Sequence, residues 1–271
     1  MIIGMKIKVF TRGVVVLFMS LLSWGAWAQT SRLPKSAIFT NGEELQYSIN
    51  FQWGLIKGKL AEASITNRQA RDGQYFSQLL MRTTSLADTF YPMRDTLETL
   101  YSAQKLPLRF EKRVNENGYI ANDISTYNYS PSTISVKNMR NANGEIKVDT
   151  TMIFKKSEVE VVDLLSTLAL LRTFDYVNTT KASPIKATVS LGRDKVNIEY
   201  QVLGTETISM PDGTRRQAMK VGIRVDDKTF KKGKNAIIVW LTRDRDQVPV
   251  RIKAELKIGS ANLQLTSYKR S

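Results

Sequence analysis

Hydrophobic and polar positions alternate along most of this chain with a period of two. In residues 44–52, Leu45, Tyr47, Ile49 and Phe51 fall on one side and Gln46, Ser48 and Asn50 on the other. In residues 248–258 the even positions from Val248 to Ile258 are apolar, and Arg251, Lys253, Glu255 and Lys257 lie opposite. This period marks a strand with one buried and one wet face. The pattern recurs in residues 146–154, 185–191, 196–202, 219–225 and 263–265. Turn formers separate the runs: Arg71-Asp72-Gly73, Glu116-Asn117-Gly118, Ala142-Asn143-Gly144, Gly192-Arg193-Asp194, Pro211-Asp212-Gly213 and Asp244-Arg245-Asp246. Such spacing predicts about a dozen strands joined mainly by hairpins, an antiparallel meander.

One stretch departs from the rule. Ser157-Glu158-Val159-Glu160 fits a capping box, with Asp163 as the alternative N-cap. The positions that follow are apolar at 161, 162, 164, 165, 168–171 and 174, too many for a helix with one wet face. The expected fold is therefore mainly β with one central helix, a large curved antiparallel sheet or open barrel wrapped around residues 160–174. Residues 41–271 read as a single β-rich domain, with a linker-like polar stretch at 178–184. Residues 29–40 read as a disordered N-terminal segment.

The N-terminus adds a destination. Lys6, Lys8 and Arg12 precede an apolar run from Gly13 to Trp27, and Ala26-Trp27-Ala28 supplies a small-x-small cleavage pattern. Residues 1–28 thus read as a secretory signal peptide, with cleavage near Ala28-Gln29 and a periplasmic or secreted product. The run is shorter than the ~20 residues a spanning helix needs.

Composition then narrows the chemistry. The chain has 271 residues, no His and no Cys, and 40 Lys plus Arg against 25 Asp plus Glu, a formal charge of +15. A Ser-His-Asp triad, a thiolate nucleophile, a disulfide and a His- or Cys-ligated metal are all excluded. The acidic turns Asp226-Asp227 and Asp244-Arg245-Asp246 do not resemble an EF-hand loop, and no phosphate-cradling glycine loop precedes a helix. No cofactor and no metal are expected. The basic residues are scattered, at Arg215-Arg216, Lys231-Lys232-Gly233-Lys234, Arg243, Arg245 and Lys269-Arg270 among others. They fit a solvated surface, and functionally an anionic membrane surface as partner. Nucleic acid is not expected, because no helix-turn-helix or ordered aromatic motif accompanies them.

Catalysis would have to use carboxylates. Asp95 and Glu98 are three residues apart and fall on opposite faces of a strand, so a glycosidase pair would need a second carboxylate such as Asp123 or Asp163. Arg94 is expected to pair with a carboxylate across the sheet. No catalytic residue is assigned. Aromatic residues in or beside strands are the better lead, because a curved sheet can leave an apolar pocket beside its helix. Such a pocket is expected to be lined by Phe51, Trp53, Phe110, Leu164, Leu168 and Trp240. Arg94 or Arg251 would stand at its mouth, with Asp95 beside Arg94 as a further contact.

Several of these stretches together resemble one bacterial exported family. They are Trp53-Gly54-Leu55-Ile56-Lys57-Gly58-Lys59, Phe90-Tyr91-Pro92-Met93-Arg94-Asp95-Thr96-Leu97-Glu98-Thr99, Asp163-Leu164-Leu165-Ser166 with Leu171-Arg172, Trp240-Leu241-Thr242-Arg243-Asp244, Val248-Pro249-Val250-Arg251-Ile252, and Ile258-Gly259-Ser260. In order and spacing they resemble the family catalogued as domain of unknown function 3108, over nearly all of residues 41–268. Lys57-Gly58-Lys59 departs from it, since the family more often has a small residue beside that glycine. The resemblance implies a secreted, sheet-rich protein similar in architecture to periplasmic lipoprotein carriers, and it brings no established reaction. Three functions follow as expectations. The first is a non-enzymatic periplasmic carrier of a lipid-like or amphipathic small molecule. The alternative is an envelope assembly or structural factor that binds a protein partner through a strand edge. A carboxylate-based glycan-processing enzyme ranks last.

Overall fold

The computed structural model of the protein describes residues 41–53, 56–173, 184–226, 235–257 and 259–270. Residues 1–28, read above as a signal peptide, the segment 29–40, the polar stretch 178–183 and the basic residues 231–234 lie outside them. Eight strands come first: β1 (Glu43–Trp53), β2 (Ile56–Gln69), β3 (Tyr75–Thr83), β4 (Arg94–Tyr101), β5 (Pro107–Glu116), β6 (Tyr119–Tyr129), β7 (Thr133–Ala142) and β8 (Glu145–Lys155). The remainder are β9 (Val161–Val162), β10 (Ile185–Leu191), β11 (Asp194–Ser209), β12 (Arg215–Val225), β13 (Ile237–Thr242), β14 (Pro249–Leu256) and β15 (Gly259–Lys269).

All belong to one 15-stranded sheet, three or so more than alternation alone marks out. β1 to β8 neighbour one another in sequence order, and so do β9 to β15. Pairing of β1 with β15, from Glu44 opposite Lys269 to Gln52 opposite Ser260, joins the two runs. Gly259, at φ 144, brings β15 so close to β1 that a Cβ there would lie 2.2 Å from the Gln52 carbonyl oxygen.

The sheet curls into a nearly closed barrel with β8 and β9 as its outermost strands. Among the described residues no backbone ladder joins them. The gap is spanned by side chains instead: Asn138 Nδ2 donates to Ser190 Oγ at 2.9 Å, and Ser190 Oγ approaches Met152 Sδ at 3.4 Å. β8 accordingly buries only Phe154, where its alternation predicts a half-buried strand.

Inward positions match the apolar phase on β1 and β14. Leu45, Tyr47, Ile49 and Phe51 are buried on β1, and Val250, Ile252, Ala254 and Leu256 on β14. Gln46, Ser48, Arg251 and Lys253 face outward, the reverse of a lipid-exposed barrel, which is apolar outside.

Among the described residues two α-helices occur where one was expected. The short helix Ser85–Asp88 sits in the β3–β4 connection, with Thr84 as its N-cap. The helix Leu164–Leu171 is the buried one, and it is shorter than 160–174. Val161 and Val162 are taken up by β9, which pairs in parallel with Thr188 and Val189 of β10. The cap is Asp163, not the box beginning at Ser157. Its carboxylate accepts from Ser166 N at 2.9 Å, Ser166 Oγ at 2.6 Å and Thr99 Oγ1 at 2.9 Å. A cap that also bonds to β4 is fixed by tertiary contacts, which Ser157, in the turn after β8, lacks. At the other end Arg172 makes a bidentate pair with Glu43 at 2.6 and 3.0 Å and donates to the Asp246 carbonyl. The helix is thus tethered to β4 at its start and to β1 at its finish. No helix among the described residues is long and apolar enough to cross a membrane.

Candidate ligand-binding site

The interior beside the buried helix is not completely filled. A cavity of about 110 Å³ lies between Leu164, Leu168 and Leu171 of the helix and the inward side chains of both barrel halves, Ile49, Leu97, Val189, Val239 and Ile252 among them. Its lining is hydrocarbon almost throughout. Thr167, Tyr47 and Tyr200 also reach it, and Lys112 is the one charged side chain on its wall.

Lys112 comes from β5, where Phe110, Lys112 and Val114 are successive inward positions. Register places it directly opposite Asp123 of β6, and Asp123 directly opposite Arg140 of β7. Three strands therefore present an inward row of alternating charge. Arg140 and Asp123 form a close ion pair, Nε to Oδ1 at 2.7 Å and Nη2 to Oδ2 at 3.0 Å. Lys112 is 2% exposed, yet among the described residues its ammonium has no hydrogen-bond or ion-pair partner. Burial pulls its pKa down, against the opposing pull of Asp123, Asp95 and Glu116.

Asp95 and Glu116 form a carboxyl pair on the same inner face. Asp95 accepts from Asn115 N at 3.1 Å, and the Tyr91 hydroxyl donates to Glu116 at 3.3 Å. Burial first, and then the neighbouring Asp95 charge, push Glu116 up to about 7. Burial raises Asp95 as well. The pair therefore holds its protons to a higher pH than free carboxyls do. It is too close to admit a sugar between its carboxyls, which a retaining glycosidase holds about 5 Å apart.

Lys112 also borders a second space of about 180 Å³, and this one is polar. Asp123, Ser125, Asn138 and Arg140 line it from β6 and β7, and Gly192, Arg193 and Asp194 from the β10–β11 hairpin. An apolar chamber and a polar chamber thus share a wall that carries a buried, unpartnered cation. Among the described residues no group of three or more acidic side chains is placed to hold a metal ion.

The residues expected to form the site divide. Leu164 and Leu168 line the apolar cavity, and Phe110 lines the polar one. Asp95 is buried beside Lys112, but facing inward and away from Arg94. Phe51 is packed into the core and does not reach the cavity. The side chain of Trp53 lies outside the described residues. Three expectations need correcting. Arg94 points outward and pairs with Asp88 of the short helix at 2.5 Å, not across the sheet, and it does not reach the apolar cavity. With Asp95 it borders a separate polar space of about 500 Å³, where Lys59 and Arg82 are both tied to Glu62. Trp240 and Arg251 also lie outside. The Trp240 ring sits between Lys220 and Arg251, at 5.3 and 5.5 Å, and its Nε1 donates to Glu206 at 3.1 Å. Trp240 also belongs to a buried apolar cluster with Ile208, Ala218 and Val250, and it does not line the cavity.

Lys112, Glu116 and Arg140 were missed, although the signal was present. In residues 107–116 a lysine occupies an inward phase between Phe110 and Val114, where a strand's apolar side chain belongs.

A family model described as "Protein of unknown function (DUF3108)" matches residues 46–266. No curated protein matches the chain. Among solved structures, a β-barrel-like protein of domain of unknown function DUF1849 from Brucella abortus is similar with a TM-score of 0.62 and 10% identity, over 87% of this chain and 100% of that one. Another, from Parabacteroides distasonis and described as a "putative lipoprotein", has a TM-score of 0.33 and 11% identity, over 85% of this chain and 96% of that one. The first likeness is one of fold; the second is too distant in shape to add to it.

Proposed function

The chain belongs to the DUF3108 family, and from the geometry of its interior we propose that it is an exported, non-enzymatic carrier or binding protein for an amphipathic envelope molecule with one anionic group. The observation that carries this reading is Lys112, a buried ammonium without a partner on the wall between an apolar and a polar chamber. The hydrocarbon end would lie against Leu164 and Leu168, and the anionic end would face Lys112 and Arg140. The chambers, about 110 and 180 Å³, together approach the ~300 Å³ at which small-molecule sites begin, so the tail is short. Export is supported by the cationic, apolar and small-x-small sequence of residues 1–28.

The test is displacement of a fluorescent short-chain fatty acid, together with native mass spectrometry of the protein as isolated. Leu168→Trp, which fills the cavity, and Lys112→Met, which removes the cation, are each expected to weaken probe binding by about tenfold or more. Unchanged binding by both variants, or no binding by the wild type, overturns the proposal. The strand-edge reading keeps one observation in its favour: β8 is an outermost strand and exposes Ile146 and Ile153. Crosslinking from β8 to an envelope protein would support that alternative.

A further inference from the structure

Antiparallel pairing places the β3–β4 connection, the β5–β6, β7–β8 and β10–β11 hairpin tips and the β14–β15 turn at one end of the barrel. At that end large apolar side chains stand in solvent. Leu86 and Phe90 are each 70% exposed in the β3–β4 connection, Ile120 is 60% exposed at the β5–β6 tip, and Ile146 is 68% exposed at the β7–β8 tip.

These loops are fastened to one another. Asn117 N donates to the Pro92 carbonyl at 2.8 Å, Asn143 N to the Ile120 carbonyl at 2.9 Å, and Ile120 N to Asn143 Oδ1 at 3.1 Å. The apolar groups are therefore displayed on a fixed rim, where an ordinary solvated loop would carry polar residues. The charges at this end are unequal. Glu62, Asp88 and Glu145 are each held in an ion pair. Lys57 and Lys257 are exposed with no carboxylate bonded to them among the described residues.

We propose that this rim docks on an anionic lipid surface, with Leu86, Phe90, Ile120 and Ile146 entering the headgroup–acyl boundary and the lysines meeting the lipid phosphates. Amphipathic surfaces with apolar points and flanking cations bind bilayers in this way, burying their apolar side about 5–10 Å deep. A protein groove would satisfy the apolar side chains but gives no role to the flanking cations. The proposal is independent of what the interior holds. It does, however, set the polar chamber, which is lined by the hairpin carrying Gly192 and Arg193, at the end that faces the membrane.

The experiment is co-sedimentation with vesicles of phosphatidylglycerol and of phosphatidylcholine. The chain is purified as cells produce it, so that wild type and variants share one processed N-terminus. Wild type is expected to bind the anionic vesicles, and to release as salt shortens the Debye length from about 10 Å at 0.1 M to about 3 Å at 1 M. Leu86→Ser with Phe90→Ser and Ile120→Ser, all at exposed positions, is expected to weaken binding by about tenfold or more with an unchanged circular dichroism spectrum. Lys57→Glu with Lys257→Glu is expected to abolish the preference for anionic lipid while the fold stays intact. Failure of wild type to bind phosphatidylglycerol, equal binding by the serine variant, or self-association that the serine variant removes would each overturn the proposal.

Discussion

The barrel holds two buried clusters of charge, one around Arg172 and the other around Lys112, and they are built differently. Arg172 and Glu43 form a bidentate pair whose remaining valences are met. Asn67 donates to Glu43 at 2.6 Å, Ser77 donates to Asn67 at 2.5 Å, and the Asp246 carbonyl accepts from Arg172. Lys112 has three acidic groups in its field and, among the described residues, bonds to none of them, while burial raises both Asp95 and Glu116. A saturated buried pair clamps the end of a helix. An unsaturated one beside unfilled space is costly to keep.

The sharpest way to break this contrast is Arg172→Met. It strands the Glu43 carboxylate in the core and is expected to cost about 3–5 kcal/mol in urea unfolding. A loss below about 1 kcal/mol would mean that the clamp is dispensable. Next comes pH. The folded chain raises Glu116 from 4.5 to about 7, so the folded state holds more protons across that interval. The contribution of this group to stability is complete below 4.5 and is lost as pH climbs through 7. Glu116→Gln, neutral throughout, should flatten the fall in unfolding free energy over that window, by on the order of 1–2 kcal/mol once screening is allowed for. An unaltered slope would show that the carboxyl pair is not what titrates. The smallest effect is expected of Lys112→Met, which exchanges an unpartnered ammonium for a similar apolar volume and should shift stability by less than about 1 kcal/mol. A loss as large as that of Arg172→Met would make Lys112 a second clamp and erase the distinction.

The strands of β1 and β14 could be read from the chain because each has polar residues that mark the wet side. β13 has no such mark: Ile237, Ile238, Val239, Trp240 and Leu241 run apolar without interruption, so the face of Trp240 was undetermined until Lys220 and Arg251 were seen to flank its ring. The Asp163 cap was visible as one of two candidates, and the choice was made by Thr99, a residue 64 positions away. The charged row was hidden for a related reason. Lys112, Asp123 and Arg140 become neighbours only through cross-strand register, which no single strand contains. The inward phase of Lys112 alone was open to inspection.

The meeting of the first and second halves of the sheet has a mechanical consequence. Everywhere else around the wall, parting two strands means breaking a row of main-chain bonds. Between the last strand of the first half and the start of the second, it means breaking the Asn138–Ser190 contact and a few neighbours like it. The protein therefore has a clasp, and hydrogen exchange should be fastest on its two sides. Strain applied to the wall is relieved first at this seam, which can part without unravelling the rest of the molecule.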